Sequence, residues 1–213
     1  GYIDGGRSKI TDWLYESLAI NKPYNQFVKE LLNPTPASEG FINGIKWRGS
    51  INASQYTEMQ AAQNVSQVLL GVNLKCASCH DSFVSNLKLK DAYAFANIFA
   101  EKSLEINKCD KPTGKFTGER IIFESLGTID STLQKSKRLE LLANYMIQPQ
   151  NGRLYRTIVN RVWAQLFGRG MVEPVDNMDN KPWSQDLLDW LAYRFVQDGY
   201  DMKKLIFLIT TSK

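Results

Sequence analysis

Apolar residues recur at helical spacing through most of this chain, and this periodicity constrains the fold more than any other feature of the sequence. Such spacing places apolar side chains on one face of a helix, which must then pack against another element. The segments with this pattern are residues 10–18, 24–31, 55–70, 89–102, 130–147, 152–167 and 184–198, and a last one that starts at Asp201. The sequence therefore predicts a mainly α-helical protein.

Proline and glycine predict where these helices begin and end. Pro23 suits a helix first turn, and the prolines of segment 33–36 stop that helix because proline cannot donate a backbone hydrogen bond. Residues 37–53 are predicted to form a loop, and Gly71 is placed to terminate the helix over 55–70.

Residues 103–128 form the least helical stretch of the chain. Prolines and glycines interrupt it, and Phe116 could pair with residues 121–123 as two short strands. We place a domain boundary here. The prediction is a first helical domain over residues 1–127 and a second over 128–213, with at most a short β-hairpin between them.

Composition and charge exclude several classes of protein. With 213 residues, of which 43% are hydrophobic and 23% charged, the chain can build a core without disulfides or metal. The densest apolar stretch, residues 205–209, is far shorter than the roughly 20 residues of a membrane span. The 26 basic and 22 acidic side chains are spread along the chain, which argues against a nucleic-acid partner.

One segment departs from this even distribution of charge. Residues 141–172 contain no acidic residue but four arginines: Arg153, Arg156, Arg161 and Arg169. The first three share one side of a predicted helix. They form either a solvated helix face or an anion site for carboxylates of a ligand or of a neighbouring segment.

The five residues 76–80 carry specific chemistry. They read Cys-Ala-Ser-Cys-His, the C-x-x-C-H spacing at which haem c is attached, and His80 is the only histidine of the chain. Two thiols at this spacing can each add to one vinyl group of the same porphyrin, and the adjacent imidazole can bind the iron. We predict that Cys76 and Cys79 anchor a covalent haem and that His80 is its proximal ligand.

Other chemistry is compatible with the same residues. Cys76 and Cys79 could form a redox-active disulfide. Together with Cys109 and His80 they could bind zinc, although two adjacent ligands suit one tetrahedral ion poorly. Cys109 itself is predicted to be a buried thiol, or else a partner for Cys76 or Cys79 when no haem is attached.

The sixth iron ligand cannot be a second histidine of this chain. Methionine is the usual alternative, and the candidates are Met59, Met146, Met171, Met178 and Met202. Met178 lies in a polar loop and Met59 on an apolar helix face, and we keep these two as candidate distal ligands. The alternative is an open or water-bound position.

The sequence around the motif resembles a known family. Residues 68–81, VLLGVNLKCASCHD, are similar to the FLG-[VI]-x-[LI]-x-C-A-x-C-H-D segment of the planctomycete-type cytochrome domain family, whose function is unknown. Residues 12–13 and 21–28 also resemble its N-terminal helices. Stretches within residues 160–192 resemble the partner domain of unknown function that usually follows it in the same polypeptide.

The resemblance implies a fold and a cellular setting. The fold is a helical cytochrome-like domain with the CxxCH motif over residues 1–127, followed by a small helical bundle over 128–213 that is truncated at its C-terminus. The setting is a longer exported protein, periplasmic or at the cell surface, of Planctomycetes, Verrucomicrobia or Bacteroidetes type. Many members continue the motif as C-H-D-H-P-F, whereas this chain has Ser82 in place of the second histidine.

Our leading hypothesis for function is a c-type haem protein with an electron-transfer or redox-partner role. Its partners would be a redox protein or other domains of the parent chain. A second hypothesis is a catalytic module that acts on polysaccharide, because such proteins are often found in organisms that degrade it. Asp176 and Asp179 form the one acidic cluster we would test for that role.

A third hypothesis is a helical scaffold without haem that binds carbohydrate or a partner domain through aromatic side chains. Trp47 and Trp183 are the contact candidates because they lie in predicted loops. Trp13, Trp163 and Trp190 have helical spacing and are predicted to be core residues.

Overall fold

The computed structural model describes residues 6–43 and 51–212 and is mainly α-helical within them, as predicted. The helices are α1 (Gly6–Ala19), α2 (Tyr24–Leu32), α3 (Gly40–Asn43), α4 (Thr57–Leu70), α5 (Leu89–Ala96), α6 (Lys135–Met146), α7 (Gly152–Phe167), α8 (Gln185–Gln197) and α9 (Met202–Thr211). Short 3₁₀ turns span Ala53–Gln55, Asn97–Phe99 and Glu124–Leu126. No helix of these described ranges combines the length and apolar character that a bilayer span requires.

Helix α5 is shorter than the predicted helix over 89–102. It passes into a 3₁₀ turn at Asn97, whose buried side chain donates to the Thr117 carbonyl at 2.7 Å and accepts from the Leu104 amide at 2.8 Å. These bonds tie the turn to two segments that follow it in the sequence. A polar side chain that bonds the backbone in this way competes with helix continuation.

The short hairpin is present, but not at the predicted residues. Strand β1 (Asn107–Lys108) pairs antiparallel with β2 (Lys111–Pro112), so the expected pairing of Phe116 with residues 121–123 was wrong. Between the strands, Cys109 and Asp110 have φ values of 47° and 68°. Two positive φ angles in a two-residue loop are typical of a type I′ turn, which matches the twist of paired strands.

Helix α4 packs at the centre of the fold, in contact with α3, α5 and α7. Its side chains Met59, Val65 and Leu70 are completely buried. Each such side chain stabilises the fold by about 1.5–3 kcal/mol relative to an exposed one. Because α4 ends at Leu70, this packing positions the chain that leads to Cys76.

The hydrophobic core extends across the boundary predicted at residue 127. Helices α4 and α7 contribute to one core cluster, and α2 packs against α6. Arg138 Nη1 also lies 3.4 Å from a carboxylate oxygen of Glu119, with both side chains buried. The division into residues 1–127 and 128–213 stays a prediction, since packing of two segments does not decide whether each would fold alone.

Candidate functional site

The CxxCH motif follows the C-terminus of α4, and this helix end is closely constrained. Gly71 has a φ of 58° and ends the helix, as predicted. A Cβ on Gly71 would lie 2.9 Å from Cβ of Met178 and closer still to its Cγ. Only glycine combines this conformation with so close an approach. The direction in which the chain leaves α4 is therefore set.

Two arginines of α7 bind carbonyls in the last turn of α4. Arg153 Nε donates to the Leu70 carbonyl at 2.6 Å, and Arg161 Nη2 donates to the Gln67 carbonyl at 2.9 Å. The last four carbonyls of a helix have no partner within it, and cations there also complement the helix dipole. The second half of the chain thus holds the segment that enters the motif.

The motif itself forms a helical turn, in which the His80 amide donates to the Cys76 carbonyl at 3.1 Å. Ala77 and Ser78 are buried, whereas Cys76, Cys79 and His80 are partly exposed. The two intervening residues therefore pack inward, and the three chemically active residues remain accessible from solvent.

Gln63 anchors this turn to α4. Its Nε2 donates to Ser78 Oγ at 3.0 Å, and Ser78 Oγ donates to the Lys75 carbonyl at 2.7 Å. Ser78 is only 1% exposed, so these bonds satisfy a hydroxyl that would otherwise be costly to bury. The role of Gln63 was not predicted from the sequence. The only indication was a glutamine side chain beside the apolar face of α4.

The imidazole of His80 is oriented by the next residue. Its Nδ1 lies 2.7 Å from the Asp81 carbonyl oxygen. A carbonyl oxygen can only accept, so Nδ1 is the donor in this bond, and in the corresponding tautomer of the imidazole Nε2 keeps its lone pair. Within the described part of the chain, no hydrogen bond involves Nε2. An iron-ligating histidine typically has this arrangement.

The loop after His80 folds back on itself. Asp81 Oδ1 accepts from the Leu89 amide at 2.9 Å, at the start of α5, and the Ser82 amide donates to the Leu87 carbonyl at 2.9 Å. Asp81 therefore uses its carbonyl to orient His80 and its carboxylate to bind the helix start. This second role of Asp81 was also missed from the sequence.

Large apolar side chains are exposed beside His80. Phe83 and Val84 are 87% and 81% exposed, and the rings of Phe83 and His80 lie 4.6 Å apart between centroids. A contiguous exposed apolar surface with polar groups at its edge is typical of binding sites. A porphyrin presents a flat apolar ring, so free thiols, an available imidazole nitrogen and this apolar surface together fit haem c.

Cys109 is exposed, so the expectation of a buried thiol was wrong. It lies in the hairpin turn, and its amide donates to the Cys79 carbonyl at 2.9 Å. All three cysteines are unpaired. Over residues 6–43 and 51–212, no three His, Cys, Asp or Glu side chains are grouped so as to hold a metal ion, and the four residues considered for zinc are therefore not assembled as a site.

The two methionines considered as distal ligands lie in the hydrophobic core. Met59 is completely buried in α4, and Met178 is 8% exposed with its side chain against Gly71. The structure gives both a packing role. A distal-ligand role for either stays a prediction.

The arginines of α7 bind carboxylates of a neighbouring segment, so the interpretation as a solvated helix face was wrong. The pairs are Arg153 with Asp179 at 2.8 Å, Arg161 with Asp176 at 2.5 Å, and Arg156 with Asp189. Burial raises the pKa of Asp189, but hydrogen bonds from Arg156 and Gln185 lower it more. Asp176 and Asp179, the acidic cluster considered for catalysis, thus have ion-pair partners within the fold.

The division of the tryptophans into core and exposed residues differs in part from the prediction. Trp13 is buried, as expected, and donates to Glu30 at 2.7 Å. Trp183 is 56% exposed, as expected, but Trp190 is 49% exposed and not a core residue. Other side chains of α8 fill the core, such as Leu191, and the face with Trp190 is left outward. Trp163 is partly buried, and Trp47 lies outside the described residues.

Two family models match the chain in succession. One, described as PSCyt2, a protein of unknown function (DUF1549), matches residues 2–103, which include the CxxCH motif. The other, described as PSD1, a protein of unknown function (DUF1553), matches residues 137–213, which include the arginines of α7. Neither the curated proteins nor the solved structures give a match to this chain.

Proposed function

This chain has a PSCyt2 domain followed by a PSD1 domain, both of planctomycete-type cytochrome-like families of unknown function, and from this premise we propose that it is an exported haem c protein with an electron-transfer or redox-partner role. The observation that carries the proposal is the geometry of His80. With Nδ1 bonded to the Asp81 carbonyl at 2.7 Å, Nε2 is available to a metal.

Cys76 and Cys79 would hold the cofactor covalently. In each attachment the thiol S–H adds across a vinyl double bond, the sulfur bonds to one carbon and the hydrogen goes to the other, so no oxidant is needed. Haem c supplies a one-electron iron couple when it is bound. His80 would provide the proximal nitrogen, and its bond to Asp81 would hold the ring in one orientation.

The accessibility of the site supports electron transfer over chemistry in an enclosed pocket. Cys76, Cys79 and His80 are partly exposed, and Phe83 and Val84 beside them are almost fully exposed. A redox partner, or another domain of the parent protein, could approach this surface directly. Attachment of haem c in bacteria takes place outside the cytoplasm, so the proposal includes a periplasmic or cell-surface location.

The experiment is to co-express the chain with cytochrome c maturation proteins, export it to the periplasm and record a pyridine haemochrome spectrum of the denatured protein. We expect haem that stays attached after denaturation and disappears in the Cys76→Ala/Cys79→Ala variant. Cys109→Ala is the matched control, because it removes a thiol outside the motif and should keep the haem. A colourless protein, under conditions in which a control cytochrome matures, would refute the proposal.

A binding role for the second domain is the alternative that one observation favours. Trp183 and Phe167 are both exposed and flank Trp163, whose ring centroid lies 6.0 Å from that of Trp183 and 4.4 Å from that of Phe167. Aromatic surfaces of this kind suit a sugar ring or a partner domain. A glycan-binding assay with wild type and Trp183→Ala tests this binding role. If neither protein shows a binding signal, the alternative is refuted.

A further inference from the structure

Hydrogen bonds hold the hairpin β1–β2 against the CxxCH turn and against the 3₁₀ turn that precedes α4. Asp110 Oδ1 accepts from the Ala53 amide at 2.9 Å. The Cys109 amide donates to the Cys79 carbonyl at 2.9 Å. Tyr93 adds a third bond, from its hydroxyl to the Asn107 carbonyl at 3.4 Å.

Tyr93 can serve as this donor because its hydroxyl stays protonated. Burial raises its pKa, and the bond to Asn107 only partly offsets the rise. The tip of the hairpin is therefore fixed in place. Cys109 keeps its position next to the motif even though it lies in an exposed turn.

The contacts of Cys109 converge on Cys79. Besides the amide bond, Cys109 Sγ lies 3.7 Å from the Cys79 carbonyl oxygen. Standard bond lengths and the 2.9 Å hydrogen bond limit the Cα–Cα separation of the two residues to about 6.8 Å. Disulfides span Cα–Cα separations of roughly 4.4–6.8 Å. The backbone separation is thus compatible with a disulfide, and Cys109 Sγ already faces Cys79.

We propose that Cys79 and Cys109 form a disulfide in the haem-free chain, with a small-molecule or protein disulfide as the oxidant. The two thiols lose two electrons and two protons and form one S–S bond, while the oxidant's disulfide is reduced to two thiols. One thiolate attacks the oxidant first, and the second resolves the mixed disulfide. All three cysteines of the chain are free to react in this way.

This disulfide also controls the haem site, an extension that rests on the proposed function. A sulfur in a disulfide cannot add to a vinyl group, so Cys79 must be released by a reductant before haem attachment. Cys109 then acts as a reversible protecting group for Cys79. Cys76 remains a free thiol throughout.

The test uses the full chain, made without maturation proteins and incubated with oxidised glutathione. Trypsin leaves Cys76 and Cys79 together in peptide 76–88 and Cys109 in peptide 109–115, because Pro112 protects the bond after Lys111. We expect a mass loss of about 2 Da in the intact protein and a majority of molecules with these two peptides linked. The link should persist in Cys76→Ser and disappear in Cys79→Ser.

Other products would overturn the proposal. They are a majority Cys76–Cys79 disulfide, a Cys76–Cys109 link in wild type, glutathione adducts without a link, and three unreacted thiols.

The control over haem attachment has a separate readout. We expect Cys109→Ser to hold at least about twofold more covalent haem than wild type when the maturation proteins are limiting, and equal haem would refute this part. If no variant takes up haem, the proposed function fails, and the peptide map still decides whether the disulfide forms.

Discussion

The CxxCH turn and the arginine face of α7 are both clusters of polar side chains, but they differ in whether those side chains have partners within the protein. Each of Arg153, Arg156 and Arg161 is paired with a carboxylate of the same chain. In the turn, by contrast, the thiols are free, and among the described residues only one ring nitrogen of His80 has a hydrogen-bond partner. Groups whose partners lie within the chain stabilise the fold, and groups that keep a reactive atom accessible are available for a ligand.

The two clusters are also connected. Arg153 and Arg161 bind carbonyls of the last turn of α4, from which the chain leads to Cys76. The ion-paired arginines of α7 thus hold the helix end that leads to the CxxCH turn, and this contact crosses the predicted boundary between the two domains. We expect four substitutions, in these clusters and at the helix ends, to differ in their effect on stability, from the largest to the smallest.

Gly71→Ala should have the largest effect, with a loss of about 3 kcal/mol or more in the free energy of unfolding. The φ of 58° strains any other residue, and the new Cβ would overlap the side chain of Met178. Gly168→Ala is the matched control, because Gly168 has a φ of 77° and a Cβ there would meet no atom within 4 Å in the part of the chain that the structure describes. It should cost only about 1 kcal/mol. Urea denaturation measures both, and equal losses would contradict the packing argument.

Arg161→Ala should cost about 2 kcal/mol, since it leaves the Gln67 carbonyl and Asp176 without their shared donor. Arg156→Ala removes a more exposed pair, with side-chain exposures of 38% for Arg156 and 41% for Asp189, and should cost less than about 1 kcal/mol. Denaturation curves in low and high salt provide the measurement. If the two arginines prove equivalent, the role of Arg161 at the end of α4 is wrong.

Asp201→Asn should lower stability by about 0.5 kcal/mol at neutral pH. The pKa of Asp201 is lowered by the hydrogen bond from Asn21 and by the amides at the start of α9. A carboxyl with a lowered folded-state pKa stabilises the protein above its unfolded value of about 3.9, and this contribution is lost as the pH falls through the folded pKa. Asparagine keeps the helix cap but not the charge. The difference between wild type and variant should vanish in acid, and a difference that persists there would exclude a charge effect.

Phe83→Ala should change the free energy of unfolding of the haem-free chain by no more than about 0.5 kcal/mol in either direction. At 87% exposure, Phe83 has little packing to lose. Phe95→Ala, at a completely buried position of α5, should cost about 3–5 kcal/mol in the same assay and serves as the contrast. A large loss from Phe83→Ala would mean that the apolar surface beside His80 serves the fold rather than a ligand.

Helix positions were largely predictable because they depend on local periodicity and on residues such as Pro23 and Gly71 that begin or end a helix. The hairpin was not, because its site depends on two non-glycine residues with positive φ that the sequence does not mark. The exposure of Trp190 was also missed. Helical spacing predicts an apolar face but not which residues of the helix meet a neighbour.

For the site, the sequence by itself determined which reactive groups are present and how they are spaced. The C-x-x-C-H order alone predicts that two thiols and an imidazole lie close together, because the covalent chain keeps these residues within five positions. Tertiary structure decided the rest. It brought Cys109 of the hairpin turn to Cys79 of the CxxCH turn, paired the α7 arginines with aspartates, and placed Met59 and Met178 in the core. These contacts join residues far apart in sequence, and only the packing of the helices establishes such distances.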